Sequence, residues 1–195
     1  MSESIRVIDD FLPIEAFELL ASHIMEVEGY KCPDFAARAD EADGSKYQFG
    51  NMNPNPNSKI HESSATFILF QNDINPKKDI MHHLYYYLQK EIDLLKDVLN
   101  VKQMSVMRAT CTFATQENYV SSFHTDYNFH PYQEKMRTAV LYLNSNNGGT
   151  QIKDGQFVQS KANRIVIFPW EQEHAAVWCT DKKLRFVLNL NYTEN

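Results

Sequence analysis

The rhythm of hydrophobic positions changes near residue 100, from helical spacing to alternation. Pro13 suits a first helical position, and Ile14, Phe17, Leu20, Ile24 and Met25 draw an apolar stripe to about Val27. A short strand near Ala65 to Phe70 leads to Asn75-Pro76, a helix-start signal. Ile80, Leu84, Leu88, Ile92, Leu95 and Val98 then mark a helix to about Asn100 that covers the outside of a sheet. Strands follow at about 104 to 115, 119 to 126, 137 to 145, 150 to 153, 156 to 159, 164 to 168, 173 to 179 and 184 to 192. Many short strands with frequent turns predict a sandwich or barrel. Asp154-Gly155 reads as a hairpin turn and Gly148-Gly149 as a tight bend. The turn at Thr180-Asp181-Lys182-Lys183 predicts a hairpin that draws His174 and Arg185 together.

Two strands show which way their faces point. The last carries Phe186, Leu188, Leu190 and Tyr192 on one side and Arg185, Val187, Asn189 and Asn191 on the other. An earlier one sets Ala139, Leu141 and Leu143 against Thr138, Val140, Tyr142 and Asn144. The polar faces suit either water or the interior of a barrel lined by a polar site. Residues 31 to 60, ending in Asn51-Met52-Asn53-Pro54-Asn55-Pro56-Asn57, are too long for a routine connection. They read as a lid bearing Tyr47 and Phe49, or as a surface loop with two packed aromatics.

Composition narrows the class. The chain has 195 residues, 43% of them hydrophobic, which suits one globular domain and excludes wholesale disorder. A formal net charge of -6, with no long Lys/Arg run, leaves no electrostatic footprint for nucleic acid, and none is expected as a partner. Met1-Ser2-Glu3-Ser4-Ile5-Arg6 lacks the apolar stretch of a secretory signal, and no apolar run approaches membrane-spanning length. Cys32, Cys111 and Cys179 are widely spaced and odd in number, which fits reduced, buried thiols. A cytoplasmic, membrane-free setting is expected; the oligomeric state is not legible.

The candidate chemistry lies in four residues. In His124-Thr125-Asp126 a histidine and a carboxylate stand two apart on an expected strand, so both project from one face. His174 and Arg185 follow on later strands. Two histidines and a carboxylate can hold one face of an octahedral metal and leave three positions open. Taken singly, each has a plainer reading: a satisfied polar pair, a half-buried strand histidine, an ion-paired arginine. Tyr142, if it faces inward, can bring a hydroxyl near the Arg185 guanidinium to clamp a carboxylate. Arg108 either binds a carboxylate or pairs on its strand. His82 and His83, on the expected helix, are read as packing or surface residues.

Phe123-His124-Thr125-Asp126, Thr138-Ala139-Val140-Leu141-Tyr142-Leu143-Asn144, Gly148-Gly149-Thr150, Ile165-Val166-Ile167-Phe168-Pro169, His174 and Leu184-Arg185-Phe186 together carry a resemblance. The chain resembles the Fe(II)/2-oxoglutarate-dependent oxygenases, most of all their prolyl-4-hydroxylase-like branch. Similarity covers roughly residues 104 to 192, with a weaker echo over 5 to 28 around Ile8-Asp9-Asp10-Phe11-Leu12-Pro13. The resemblance implies a mainly β, α+β chain: a double-stranded β-helix (jelly-roll) core with N-terminal helices packed on the outer face of one sheet. One domain would span 1–195, with 1–100 as helical support and 101–195 as catalytic core.

It implies His124, Asp126 and His174 as iron ligands, and as the catalytic set. Arg185 is implied as the anchor of the far carboxylate of 2-oxoglutarate, assisted by Tyr142. Asn189, with Thr112 and Tyr119, is a candidate for the co-substrate pocket; His130 and Trp178 are candidates for substrate contact. Fe(II), 2-oxoglutarate and O2 are the implied cofactors and co-substrates, with ascorbate as a further candidate. Asn191 stands where nucleic-acid demethylases of this superfamily carry a second arginine, which argues against that branch. Asp126 stands where related halogenases carry a small residue, so hydroxylation is favoured. Collagen-type prolyl hydroxylases often have lysine at the position of Arg185. The favoured reading is a dioxygenase that hydroxylates a peptide or protein side chain and converts 2-oxoglutarate to succinate. The alternatives are the same chemistry on a free amino acid or small metabolite, and a non-catalytic jelly-roll binding module. A zinc hydrolase with the same three ligands would leave Arg185 unexplained.

Overall fold

The protein is described by a computed structural model over residues 5–26, 64–71, 80–81, 83–126 and 136–195. Among these residues, ten strands form two antiparallel sheets. The larger runs β1 (Arg6–Ile8), β8 (Arg164–Pro169), β5 (Met136–Tyr142), β10 (Leu184–Glu194), β4 (Val101–Phe113), β2 (Ser64–Gln71) and β3 (Ile80–Met81), in that spatial order. The smaller runs β7 (Phe157–Gln159), β6 (Gly149–Ile152) and β9 (His174–Val177). The sandwich is the jelly-roll expected from the sequence, and it does not close into a barrel.

Alternation along β10 explains its central place. Phe186, Leu188, Leu190 and Tyr192 enter a hydrophobic cluster with Met107, Ala109, Ala139, Leu141, Ile165 and Ile167. Helices α1 (Ile14–Met25), α2 (His83–Tyr87) and α3 (Gln89–Val98) close that cluster from outside with Leu20, Ile24, Leu84, Leu88, Ile92 and Leu95. Each such fully buried side chain contributes about 1.5–3 kcal/mol of hydrophobic stabilisation. The opposite face of β10 looks toward the smaller sheet. There Val140, Tyr142, Val166, Phe168 and Val187 meet Ile152 and Val158 in a second, smaller cluster. A strand buried on both faces must satisfy any polar side chain it carries, so Arg185, Asn189 and Asn191 need partners within the protein.

The segment before α1 is fastened to the main sheet by Asn163, which adopts a positive φ of 61° that asparagine tolerates better than most residues. Its side-chain amide donates to the Leu12 carbonyl at 2.8 Å and accepts from the Leu12 amide at 3.0 Å. Asp9 meanwhile receives Arg164 and Lys161, and these cations hold its carboxyl well below the usual carboxylate range. The expected Asp154-Gly155 hairpin joins β6 to β7, with positive φ at both residues. No described helix is long and apolar enough to cross a membrane.

Several sequence expectations shift. Residues 119 to 126 do not form a strand: they lie along β9 through single bridges at Val120 and His124. The expected helix to Asn100 is a strand at Ile80–Met81 and then α2 and α3, separated at Leu88. Leu88, Ile92, Leu95 and Leu99 make the buried stripe of that helical region. Val98 lies about a quarter turn off it and is exposed. The turn at 180–183 does not make a hairpin, because β9 belongs to the smaller sheet and β10 to the larger. The expected lid of 31 to 60, with Tyr47 and Phe49, lies outside the described residues, as do the Asn75-Pro76 helix start, His82, His130 and Cys32. Cys111 and Cys179 are buried and free, and burial pushes the Cys111 thiol up to about 12. Tyr85 is buried while Tyr86 and Tyr87 face solvent, so the three tyrosines divide between core and surface.

Candidate metal centre and its cavity

Between the two sheets lies a cavity of about 250 Å³, near the small end for ligand sites. His124, Asp126 and His174 gather at its wall, each offering one ligand atom, all within 4.8 Å of one another. The backbone brings the two histidines together directly. His124 N–H donates to the His174 carbonyl at 3.0 Å, and His174 N–H donates back to His124 at 2.9 Å. Their rings stand 4.7 Å apart, and His174 also packs on Phe168.

Each ring is oriented by its own chain. His124 Nδ1 lies 3.0 Å from the Ser122 carbonyl and His174 Nδ1 lies 3.1 Å from the Gln172 carbonyl. A carbonyl only accepts, so each Nδ1 carries the proton and each Nε2 keeps its lone pair for the shared centre. Asp126 Oδ1 stands 3.7 Å from both Nε2 atoms. The carboxylate is itself held: Asn191 Nδ2 donates to Asp126 Oδ2 at 3.2 Å and to Thr138 Oγ1 at 3.0 Å. Asn191 and Thr138 are register partners on β10 and β5, so the brace is built into the sheet.

The charges reinforce the geometry. Burial pushes the Asp126 carboxyl up, but the facing His124 ring and the nearby Arg108 and His174 groups outweigh it and hold it well below the usual carboxylate range. Asp126 raises the affinity of His124 for a proton, while burial lowers that of His174. With both imidazoles deprotonated at Nε2, they and the ionised carboxylate form a nitrogen–nitrogen–oxygen donor set of the kind that suits a divalent transition metal and can occupy half an octahedron.

Arg185 lies deeper, and only 2% of it is exposed. It donates from Nε to Ser160 Oγ at 3.2 Å and from Nη2 to the Gly149 carbonyl at 2.9 Å. No carboxylate pairs with it among the described residues. A buried guanidinium with only neutral partners is electrostatically short of an anion. Thr112, its register partner on β4, adds a buried hydroxyl with no bond among the described residues. The cavity thus fits a metal at one wall and an anionic ligand at the other.

The remaining expected residues fall into place around this. Tyr142 does not line the cavity. Its hydroxyl is bonded to Thr150 Oγ1 at 2.8 Å and donates to the Val158 carbonyl at 3.1 Å, while the Arg185 guanidinium lies over its ring at 5.7 Å. Asn189 lines the cavity and donates to Thr110 Oγ1 at 3.1 Å. Trp178 is buried against Tyr119 and is not among the cavity-lining residues. His83, on the first turn of α2, is exposed. The sequence marks Asn191 only for the arginine it lacks. The available signal for its brace was an inward polar side chain on a strand buried on both faces.

No protein-family profile matches the chain, and no curated protein matches it in sequence. Solved structures do. A prolyl hydroxylase from Trichoplax adhaerens, in complex with a hypoxia inducible factor oxygen degradation domain peptide fragment, superposes with a TM-score of 0.56 at 11% identity, covering 97% of this chain and 83% of that one. AviO1 from Streptomyces viridochromogenes Tue57 gives 0.57 at 12% identity, covering 99% and 90%. The viral collagen prolyl hydroxylase of Paramecium Bursaria Chlorella virus-1 gives 0.51 at 11%, covering 99% and 91%. The chain has the fold of the prolyl-4-hydroxylase-like oxygenases, and a His-Asp-His triad stands within it.

Proposed function

We propose that this protein is a non-haem Fe(II)/2-oxoglutarate-dependent dioxygenase that hydroxylates a C–H bond of a peptide or protein side chain. One observation carries the reading: a His-Asp-His donor set and a buried guanidinium with no counter-anion among the described residues share one small cavity. Nε2 of His124 and of His174 and Oδ1 of Asp126 would hold the iron, with Asn191 fixing the carboxylate. Arg185 would hold the far carboxylate of 2-oxoglutarate, its planar fork matching a carboxylate edge. Tyr142 supports that guanidinium with its ring, and Asn189 and Thr112 offer polar groups beside it. Iron, with 2-oxoglutarate and O2, supplies the oxidation that hydroxylates an unactivated C–H bond and yields succinate and carbon dioxide. The fold's part is to orient the ligands, and Val140, Val187 and Ala176 give the cavity an apolar share of its lining. A peptide substrate is favoured by the fold shared with a prolyl hydroxylase in complex with a peptide fragment. The test is 2-oxoglutarate turnover, followed as succinate release: it requires added Fe(II) and disappears in His174→Ala. Turnover that persists in the variant removes His174 from the site.

A further inference from the structure

Two guanidinium groups enter the cavity, and the reading above uses one. Arg108, Thr110 and Thr112 alternate along β4, so they share the face that lines the cavity. Thr112 pairs in register with Arg185, whereas Arg108 pairs with Asn189. Four residues of strand, about 13 Å, therefore separate the strand positions of the two cationic ends of this floor. Arg185 marks one end, and Arg108 the end beside the metal ligands.

Among the described residues Arg108 has one charged partner, Asp126, and holds it loosely. Its Nη2 lies 3.4 Å from Asp126 Oδ1, longer than a charge-assisted hydrogen bond, and its buried Nε meets no acceptor among those residues. Asp126 does not rest on Arg108 alone, because Asn191 holds the other carboxylate oxygen. Oδ1 is also the oxygen that faces both imidazoles, so metal binding would draw that atom away from Arg108. The cavity charges point the same way. Among the described residues its lining has two arginines and one carboxylate, Asp126. A divalent metal and a dicarboxylate co-substrate would cancel one another and leave one positive charge on that lining.

We propose, resting on the oxygenase reading, that Arg108 anchors the substrate, and that the substrate carries a carboxylate held by this guanidinium while a neighbouring C–H faces the metal. The shared chemistry is a carboxylate, supplied either by a free amino or organic acid or by an acidic group on a peptide.

The test uses the full chain loaded with Mn(II) and 2-oxoglutarate. Binding of free amino acids, small organic acids and acidic peptides is measured by calorimetry, each beside its amide. The expected result is binding by acids at least tenfold tighter than by their amides, with the free-acid and peptide arms naming the source. Arg108→Gln should weaken the acid by 30-fold or more and leave Mn(II) affinity within threefold; Arg108→Lys should recover part of the loss. Equal binding of acids and amides to the wild type overturns the proposal, as does the absence of binding by any acid. A fall in Mn(II) affinity that matches the loss of acid makes Arg108 a brace for Asp126 and also overturns it. Failure of the oxygenase reading shows separately, as no Fe(II)-dependent succinate release by the wild type.

Discussion

Replacing Arg185 with methionine separates its two possible employments, because binding and folding should respond differently. The guanidinium is buried with only Ser160 Oγ and the Gly149 carbonyl as acceptors. Removing it leaves the far carboxylate of 2-oxoglutarate without its charge partner, a loss of about 2–5 kcal/mol for a buried charge pair. At about 1.4 kcal/mol per tenfold, this weakens 2-oxoglutarate by roughly 30-fold to a few thousandfold. Stability has opposing parts. Two hydrogen bonds from a charged donor are lost, at about 1.5–3 kcal/mol each. Against this, a desolvated cation is removed, which relieves several kcal/mol. These nearly cancel, so the melting temperature of the metal-free protein should move by only a few degrees, at roughly 2–4 °C per kcal/mol. Calorimetric titration of 2-oxoglutarate into the Mn(II)-loaded variant, beside a thermal melt, measures both. Binding within threefold of wild type would refute the clamp. A fall of more than about 10 °C would mean that Arg185 serves the fold instead.

Three further outcomes follow from the same geometry. Asn191→Ala frees Asp126 Oδ2 and should weaken Mn(II) binding by about 10- to 100-fold with the fold intact; unchanged affinity by competition titration would dismiss the brace. Gly149→Ala puts a Cβ 2.2 Å from the Val158 carbonyl and 2.7 Å from the Phe157 ring, so the smaller sheet must open. Urea unfolding should show a loss at or above the ~1–3 kcal/mol of ordinary overpacking, and a neutral result would contradict the packing. In the third, His124 takes up a proton more readily than a free imidazole because Asp126 faces it. Its folded-state affinity for the proton is raised, so the His124–Asp126 pair stabilises metal-free protein below the unfolded imidazole range, about 6.5, and that gain is lost as pH rises through the folded value. Protons and metal compete for Nε2, so Mn(II) affinity should fall steadily from pH 8 to pH 6; a flat profile would exclude this competition.

What the sequence revealed were the features written in local alternation. The two faces of β10 and β5, the Asp154-Gly155 turn and the apolar stripe of α1 follow from side-chain period alone. Long-range pairing was less visible. Tyr119 to Asp126 has strand-like alternation but finds only two bridging positions on β9. His174 and Arg185 meet at one cavity from opposite sheets, a relation that no spacing between them records. β1 is three exposed residues paired to β8 and has no pattern of its own. Of the site, the residue types of the triad and Arg185 were legible, because few other roles collect them in that order. The Asn191 brace and the under-bonded state of Arg108 were not, since both depend on which atoms face each other across strands.

β10 also joins the two halves of the large sheet. β4 and β5 do not touch as neighbours; each is joined to the sheet's other half only through β10. Without that strand the large sheet would be two fragments, β1-β8-β5 and β4-β2-β3, each with a bare edge that invites pairing with another chain. Insertion needs partners remote in sequence, such as Met107 with Leu190, and contacts of that kind form slowly. The same strand delivers Arg185, Asn189 and Asn191. A chain lacking this strand in place therefore has neither Arg185 in the cavity nor Asn191 against Asp126, so the site is finished only with the sheet itself.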